Sequence, residues 1–155
     1  MKYDLLKRLH HRKPYLLIDE IIEATPRIVH ARKIPNQEEY YLKGHFPHVP
    51  IVPGAMMQEM CTQAAGFLIS EFYSPVLDYD SENTKGHALG VLRSVQQAKF
   101  KNFARPNDIL DINVELILQL ENSFRFKGMI ERSGAKIMNI EFTLINITED
   151  QLKGL

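Results

Sequence analysis

The chain has 155 residues, 45% apolar and 25% charged, which suits one domain, residues 1–155, with a sizeable core. Its 19 basic and 19 acidic side chains cancel, so no net field draws it onto nucleic acid. One cysteine excludes an internal disulfide, Met1–Leu9 is too polar for a secretory leader and no apolar run spans a bilayer, so a cytoplasmic chain without membrane or nucleic-acid partners is expected.

Asp4–Leu9 reads as one short helical turn. Tyr15–Glu23 and Ile28–Ile34 read as strands joined by a turn at Thr25-Pro26. Asn36–Pro53 is irregular and carries Pro47, Pro50 and Pro53 at even spacing. Gly54 opens the only long helical pattern, to about Tyr73, and its apolar residues spread around most of the helix. Such a helix is buried on most sides. Within it, Cys61 has no basic sequence neighbour to activate its thiol and reads as a small core residue. Ser74–Gly86 is a polar loop. Strand-like runs follow at His87–Arg93, Ala98–Phe103, Ile109–Leu120, Phe124–Arg132 and Ala135–Asn146, with Ser133-Gly134 as a two-residue hairpin turn. The expected class is α+β: an antiparallel sheet wrapped around one long central helix, the layout of a hotdog fold.

The chemistry concentrates in Gly44–Gln63, GHFPHVPIVPGAMMQEMCTQ. His45 sits in a proline-stiffened loop, and an imidazole takes and returns protons near neutrality. Glu59 lies among Met56, Met57, Met60 and Cys61, where a carboxyl loses water and suits a proton donor. Pro53-Gly54 opens the helix, so uncapped N–H groups carry partial positive charge where a carbonyl can approach closely. An enolate on that carbonyl would be held as in an oxyanion hole. These parts fit removal of the proton alpha to a thioester carbonyl, with loss of a beta-hydroxyl as water, and they call for no metal or redox cofactor. His45 and His48 have metal-like spacing, but Pro47 and Pro50 preclude a helical ligand face and no carboxylate or cysteine accompanies them. His10, His11, His30, His48 and His87 read as ordinary surface histidines, and the methionines as core filler. Gln63, one turn after Glu59, is placed to hydrogen-bond it. A polyproline path from His45 to Gly54 would span roughly 28 Å at about 3.1 Å per residue. It would carry His45 away from its own Glu59 and towards a partner's.

This segment resembles the (3R)-hydroxyacyl-[acyl-carrier-protein] dehydratases, whose pattern is G-H-F-P-x-x-P-x-x-P-G, then an acidic residue and, four later, glutamine. Gly44, His45, Phe46, Pro47, Pro50, Pro53, Gly54, Glu59 and Gln63 fall in place. His11-Arg12-Lys13-Pro14-Tyr15-Leu16-Leu17-Ile18-Asp19 is similar to the family's H-R-x-P-F-L-L-V-D, and Ala98–Lys101 with Arg105–Asp108 is a weaker third match. Glu38 replaces the usual asparagine before the main motif, and Asn107 stands where the family has glycine. Asparagine accepts the positive φ of such a turn. The resemblance covers residues 5 to about 146. It implies dehydration of a 3-hydroxyacyl group on acyl carrier protein, in fatty acid or related acyl-chain synthesis. It also implies a homodimer with shared sites, often a trimer of dimers. The base would be His45, the acid Glu59 of the neighbouring chain, the carbonyl donor the Gly54 amide, and Phe46 and Gln63 would be supporting residues. Glutamate at position 59 resembles the branch that does not also isomerise the double bond. The competing readings are a hotdog thioesterase and a non-catalytic acyl-binding subunit; the motif spacing argues against the first and the presence of both proton-transfer residues against the second.

Arg93, Lys99, Lys101 and Arg105 place four cations within residues 93–105 with no acidic residue between them. Such a patch would steer an acidic carrier protein. Strand alternation would put Lys99 and Lys101 on one face.

Overall fold

The computed structural model describes residues 2–84 and 89–154. Asp4 caps α1 (Leu5–Arg8) by accepting from the N–H groups of Leu6 and Lys7. Then come β1 (Glu20–Ala24), β2 (Ile28–Lys33), the long α2 (Gly54–Phe72), β3 (Leu89–Phe100), β4 (Leu110–Leu120), β5 (Ser123–Arg132), β6 (Ala135–Ile147) and α3 (Glu149–Lys153). The strands form one six-stranded antiparallel sheet in the order β1-β2-β4-β5-β6-β3. The sheet wraps α2, so the fold is a hotdog. Among the described residues, no helix is long and apolar enough to cross a membrane.

Sheet register explains how α2 is seated. Val29, Val114, Gly128, Ile140 and Ala98 lie side by side across five strands. Gly128 is at the centre of this row, and a Cβ there would lie 2.9 Å from Ile140 Cγ2 and 3.1 Å from Cys61 Sγ. The missing side chain lets the helix settle onto the sheet. All of residues 60–70 except Gly66 are buried, and Met60, Phe67, Leu68 and Ile69 are fully so. Each such side chain stabilises by about 1.5–3 kcal/mol on burial. Burial also pushes the Cys61 thiol up to about 12. A disulfide-exchange reagent at pH 8 should therefore leave Cys61 untouched in the native protein and label it in denaturant. Fast native labelling would contradict this burial.

Several elements depart from the sequence reading. Tyr15–Asp19 is not strand, because the Gln63 side chain takes over its pairing: Gln63 Oε1 accepts from Leu17 N and Gln63 Nε2 donates to Tyr15 O, both at 2.8 Å. The two runs expected on either side of Ser94–Gln97 are one strand, β3, and the polar stretch is carried on an open edge with register shifts at Arg93 and Gln96. His87, Ala88 and the end of the expected polar loop lie outside the described residues. β3 ends at Phe100 rather than Phe103: the N–H groups of Lys101 and Asn102 both donate to Ile137 O, which breaks the alternation. Lys99 and Lys101 therefore do not share a strand face. Helix α3 was not expected, although Thr148 and Gln151 form a capping box. Asn107 does adopt positive φ, at 69°, and Ser133 and Gly134 turn the hairpin at 50° and 78°.

Candidate active site

His45 stands on a loop folded back on itself. Ile51 N donates to His45 O (3.3 Å) and Val49 N to Phe46 O (3.0 Å), so the segment is a compact turn rather than an extended polyproline path. The 28 Å separation expected above does not arise. The His45 Nδ1 lies 3.1 Å from Ile51 O. A carbonyl only accepts, so Nδ1 carries a proton, and Nε2 is the nitrogen whose lone pair the neutral tautomer would present. Phe46 is exposed and its ring lies 4.4 Å from the imidazole centroid.

His45 lines a pocket of about 190 Å³ with Gly54, Met57, Phe100, Lys101 and Phe103. Gly54 begins α2, Pro53 is its N-cap, and no side chain caps the first turn. A Cβ on Gly54 would lie 2.9 Å from the Phe100 ring, so glycine lets that ring close over the helix start. Met57 is part of the pocket wall, not filler alone.

Glu59 belongs to a second cluster. Its Oε1 accepts from Gln63 Nε2 and its Oε2 lies within bonding distance of Thr62 Oγ1, both at 2.9 Å. Thr62 Oγ1 is equally close to Glu59 O (2.9 Å). Its single proton can go to that backbone carbonyl, leaving a lone pair for a proton on Oε2. This arrangement therefore accommodates the protonated acid as well as the carboxylate. Gln63 spends its whole amide on Glu59, Tyr15 O and Leu17 N, which fixes its orientation.

His11 Nε2 is 3.7 Å from Glu59 Oε1, and the His11 ring stacks on Tyr15. Burial lowers the His11 pKa, with the Glu59 charge opposing. Burial and then the nearby Glu59 charge raise the phenols of both Tyr15 and Tyr40. His11 is thus no ordinary surface histidine. The clue was its place at the head of the second matched motif, to which no role had been given. Thr62, Tyr15 and Tyr40 were also missed. His10 contacts Tyr79, His30 sits 3.2 Å from Asp111, His48 is exposed, and His87 lies outside the described residues.

The two clusters occupy opposite faces of α2. Gly54 and Met57, one turn apart, face His45. Glu59 follows Met57 by two residues, about 200° around the axis at 3.6 residues per turn. Of the basic residues, Lys101 reaches the His45 pocket, and Arg105 lies over the Phe103 ring at 5.9 Å. Lys99 is exposed on the outer face beside Asn139. Arg93 lies about 20 Å back along β3 at roughly 3.3 Å per residue, so it does not join the others within one chain.

The fold is a hotdog with an imidazole on one side of its central helix and a hydrogen-bonded carboxyl on the other. The chain belongs to the FabA-like family, whose domain matches residues 9–141. It is 36% identical over 117 residues, 74% of this chain and 71% of the relative, to the 3-hydroxyacyl-[acyl-carrier-protein] dehydratase FabZ of Chlamydia caviae. It is 32% identical over 139 residues, 89% of this chain and 86% of the relative, to the protein of that name from Shewanella pealeana. Among solved structures, the dehydratase heterocomplex ApeI:P from Xenorhabdus doucetiae is similar with a TM-score of 0.76 at 21% identity, covering 97% of this chain and 95% of that one. A hypothetical thioesterase with coenzyme A from Streptococcus pneumoniae gives 0.63 at 15% identity, covering 83% and 85%. These two likenesses speak to the fold alone.

Proposed function

We propose that this chain, one hotdog domain throughout, dehydrates 3-hydroxyacyl groups carried on acyl carrier protein to trans-2-enoyl thioesters in fatty acid or related acyl-chain biosynthesis, in the cytoplasm. The observation that carries the reading is the pair of clusters: a histidine held through Nδ1 beside an uncapped helix start, and a carboxyl whose hydrogen bonds accommodate a protonated acid. His45 Nε2 takes the alpha proton. The Gly54 amide at the helix start holds the enolate oxygen. Glu59 gives its proton to the beta-hydroxyl, which leaves as water. Because the clusters sit on opposite faces of α2, the working site joins His45 of one protomer to Glu59 of its partner. The open β3 edge, with Leu92, Val95 and Phe100 exposed, supports a homodimer joined along it. Glutamate rather than aspartate at position 59 favours dehydration without double-bond migration.

Incubation with a 3-hydroxyacyl-carrier thioester should produce ultraviolet absorbance of the conjugated enoyl thioester, with no free thiol. Thiol release without that absorbance would make the chain a thioesterase instead.

Lys99, Lys101 and Arg105 at the His45 end of β3 would receive the acidic carrier, with Arg93 contributing only from further along the edge. Lys101 lines the pocket itself, so the test uses Lys99→Glu with Arg105→Glu. Turnover of carrier-linked substrate should fall at least about ten-fold, more so at low salt, while a short pantetheine thioester with the same acyl group is turned over at a near-normal rate. Equal loss on both substrates would mean damage to the fold, and no loss on either would return these residues to plain solvated surface.

A further inference from the structure

We propose that Leu152 of α3 sets the longest acyl tail this chain accepts, by closing the far end of a pocket that leads away from Glu59. The inference deepens the reading of Glu59 as the residue that meets the substrate's beta-carbon, and rests on it.

The pocket has a volume of about 230 Å³ and is lined by Leu9, His11, Gly66, Gly90, Val91 and Leu152. His11 joins it to the Glu59 cluster, since its Nε2 lies 3.7 Å from Glu59 Oε1. Gly66 follows Glu59 by seven residues, which brings it back to within about 20° of the same direction and about 10.5 Å further along the helix axis. A tail leaving the beta-carbon at Glu59 can therefore run down that side of α2. Towards the helix start the same side is already filled, with Tyr40 Oη 3.4 Å from Met56 Sδ. An extended chain with single bonds of about 1.5 Å needs roughly eight carbons to reach Gly66. Longer tails come up against Leu152.

Two glycines make the room. Gly66 lies inside α2, where glycine weakens a helix relative to alanine. No contact forbids a side chain there, because a Cβ would meet Leu9 Cδ2 at 3.5 Å, an ordinary distance. A Cβ on Gly90 would lie 3.7 Å from the Gly66 Cα, so the two glycines face each other between helix and strand. Neither adopts positive φ. The space left by their missing side chains is the pocket.

Helix α3 supplies the far wall. Leu152 is its apolar residue among Glu149, Asp150, Gln151 and Lys153; it is 60% exposed, and it lines the pocket. An apolar side chain held at a pocket mouth instead of in the core is placed to meet an apolar guest. The capping box of Thr148 and Gln151 holds α3 without help from Leu152. Arg8 at the rim is paired with Glu71, so its charge is already answered. The family domain ends at residue 141, so this wall belongs to the chain itself and not to the shared domain.

The test measures kcat/KM on 3-hydroxyacyl pantetheine thioesters of increasing length, from four carbons upward. The wild type should fall sharply at one length, since excluding a methylene from an apolar pocket costs about ten-fold or more. In Leu152→Ala that fall should move to longer chains, and the ratio of kcat/KM on the first excluded length to that on four carbons should rise about ten-fold. Leu152→Phe should move it to shorter chains. Gly66→Ala should lower the ratio of long-chain to four-carbon kcat/KM by about ten-fold. A length limit unmoved in both Leu152 variants would overturn the proposal, as would a loss in Gly66→Ala that is equal at every length. A second measurement needs no turnover: calorimetric binding of unreactive acyl-pantetheine amides of the same lengths. Their Kd series should break at the same length and shift with Leu152 in the same directions, and a series indifferent to Leu152 would overturn the proposal. The parent reading fails separately. A wild type that forms no enoyl thioester at any length would remove Glu59 from the chemistry, whereas a dehydratase whose length limit ignores Leu152 would remove only the role of α3.

Discussion

Replacing His45 by Ala or Glu59 by Gln is expected to lower kcat by about 10²–10⁴-fold while leaving the fold and assembly intact. Neither side chain is needed by the core. His45 stands on a surface loop, and Gln can keep the Gln63 contact that Glu59 makes. Mixing the two inactive variants gives the sharper result. In a mixed dimer one site carries both lesions and the other carries none. A statistical mixture should then regain roughly a quarter of wild-type activity, because half its dimers are mixed and each has one intact site. The measurement is initial rate after co-refolding or co-expression, with hybrid formation followed by a tag on one variant. If hybrids form and no activity returns, the site lies within a single chain and the opposite-face argument on α2 is wrong.

Lys33→Ala should give the largest loss of stability. Its side chain is 6% exposed and its ammonium bridges Asp19 Oδ1 at 3.0 Å and Glu39 Oε1 at 2.6 Å, and the Glu39 side chain is itself only 13% exposed. Removing the cation strands a buried carboxylate. Breaking a buried pair from one side costs about 3–5 kcal/mol. At about 2–4 °C per kcal/mol for a chain of this size, Tm should fall by roughly 6–20 °C. A drop of only a degree or two would mean that water reaches Glu39 freely. The effect should extend to catalysis. Leu42 N bonds Glu39 O, and His45 N bonds Leu42 O. Lys33 thus anchors the start of the loop that carries His45.

The parts of this molecule that could be read in advance are those in which one local rule decides. The all-round apolar pattern of 54–73 requires a helix with the sheet around it, and Ser133-Gly134 can do little but turn. The placing of His45 on a loop and of Gly54, Glu59 and Gln63 on one helix was legible because it depends on local spacing alone. What escaped the reading depends on partners far away in sequence. Tyr15–Asp19 has the composition of a strand, yet Gln63, 46 residues on from Leu17, takes its hydrogen bonds. His11 looks solvated until the fold brings Glu59 beneath it. Ser94–Gln97 looks like a break because it is polar, but an edge strand tolerates polarity and bulges. The compact turn after His45 was missed because evenly spaced prolines suggest an extended chain, whereas Ile51 and Val49 close hydrogen bonds between them.

The order of the strands also sets a problem for synthesis. Helix α2 is complete when the ribosome reaches Phe72, at which point only β1 and β2 have been made. Most of the sheet that covers it, including Gly128 and Ile140, follows over residues 73–147. At about 5–20 residues per second this takes roughly 4–15 s. Throughout that interval a helix apolar on nearly every side has no surface to bury against except a two-stranded hairpin, and two-stranded hairpins are marginal in water. The nascent chain is therefore most exposed to aggregation while residues 73–147 are being made, and its yield in the cell should depend on chaperone capacity during that stretch more than on the stability of the finished fold.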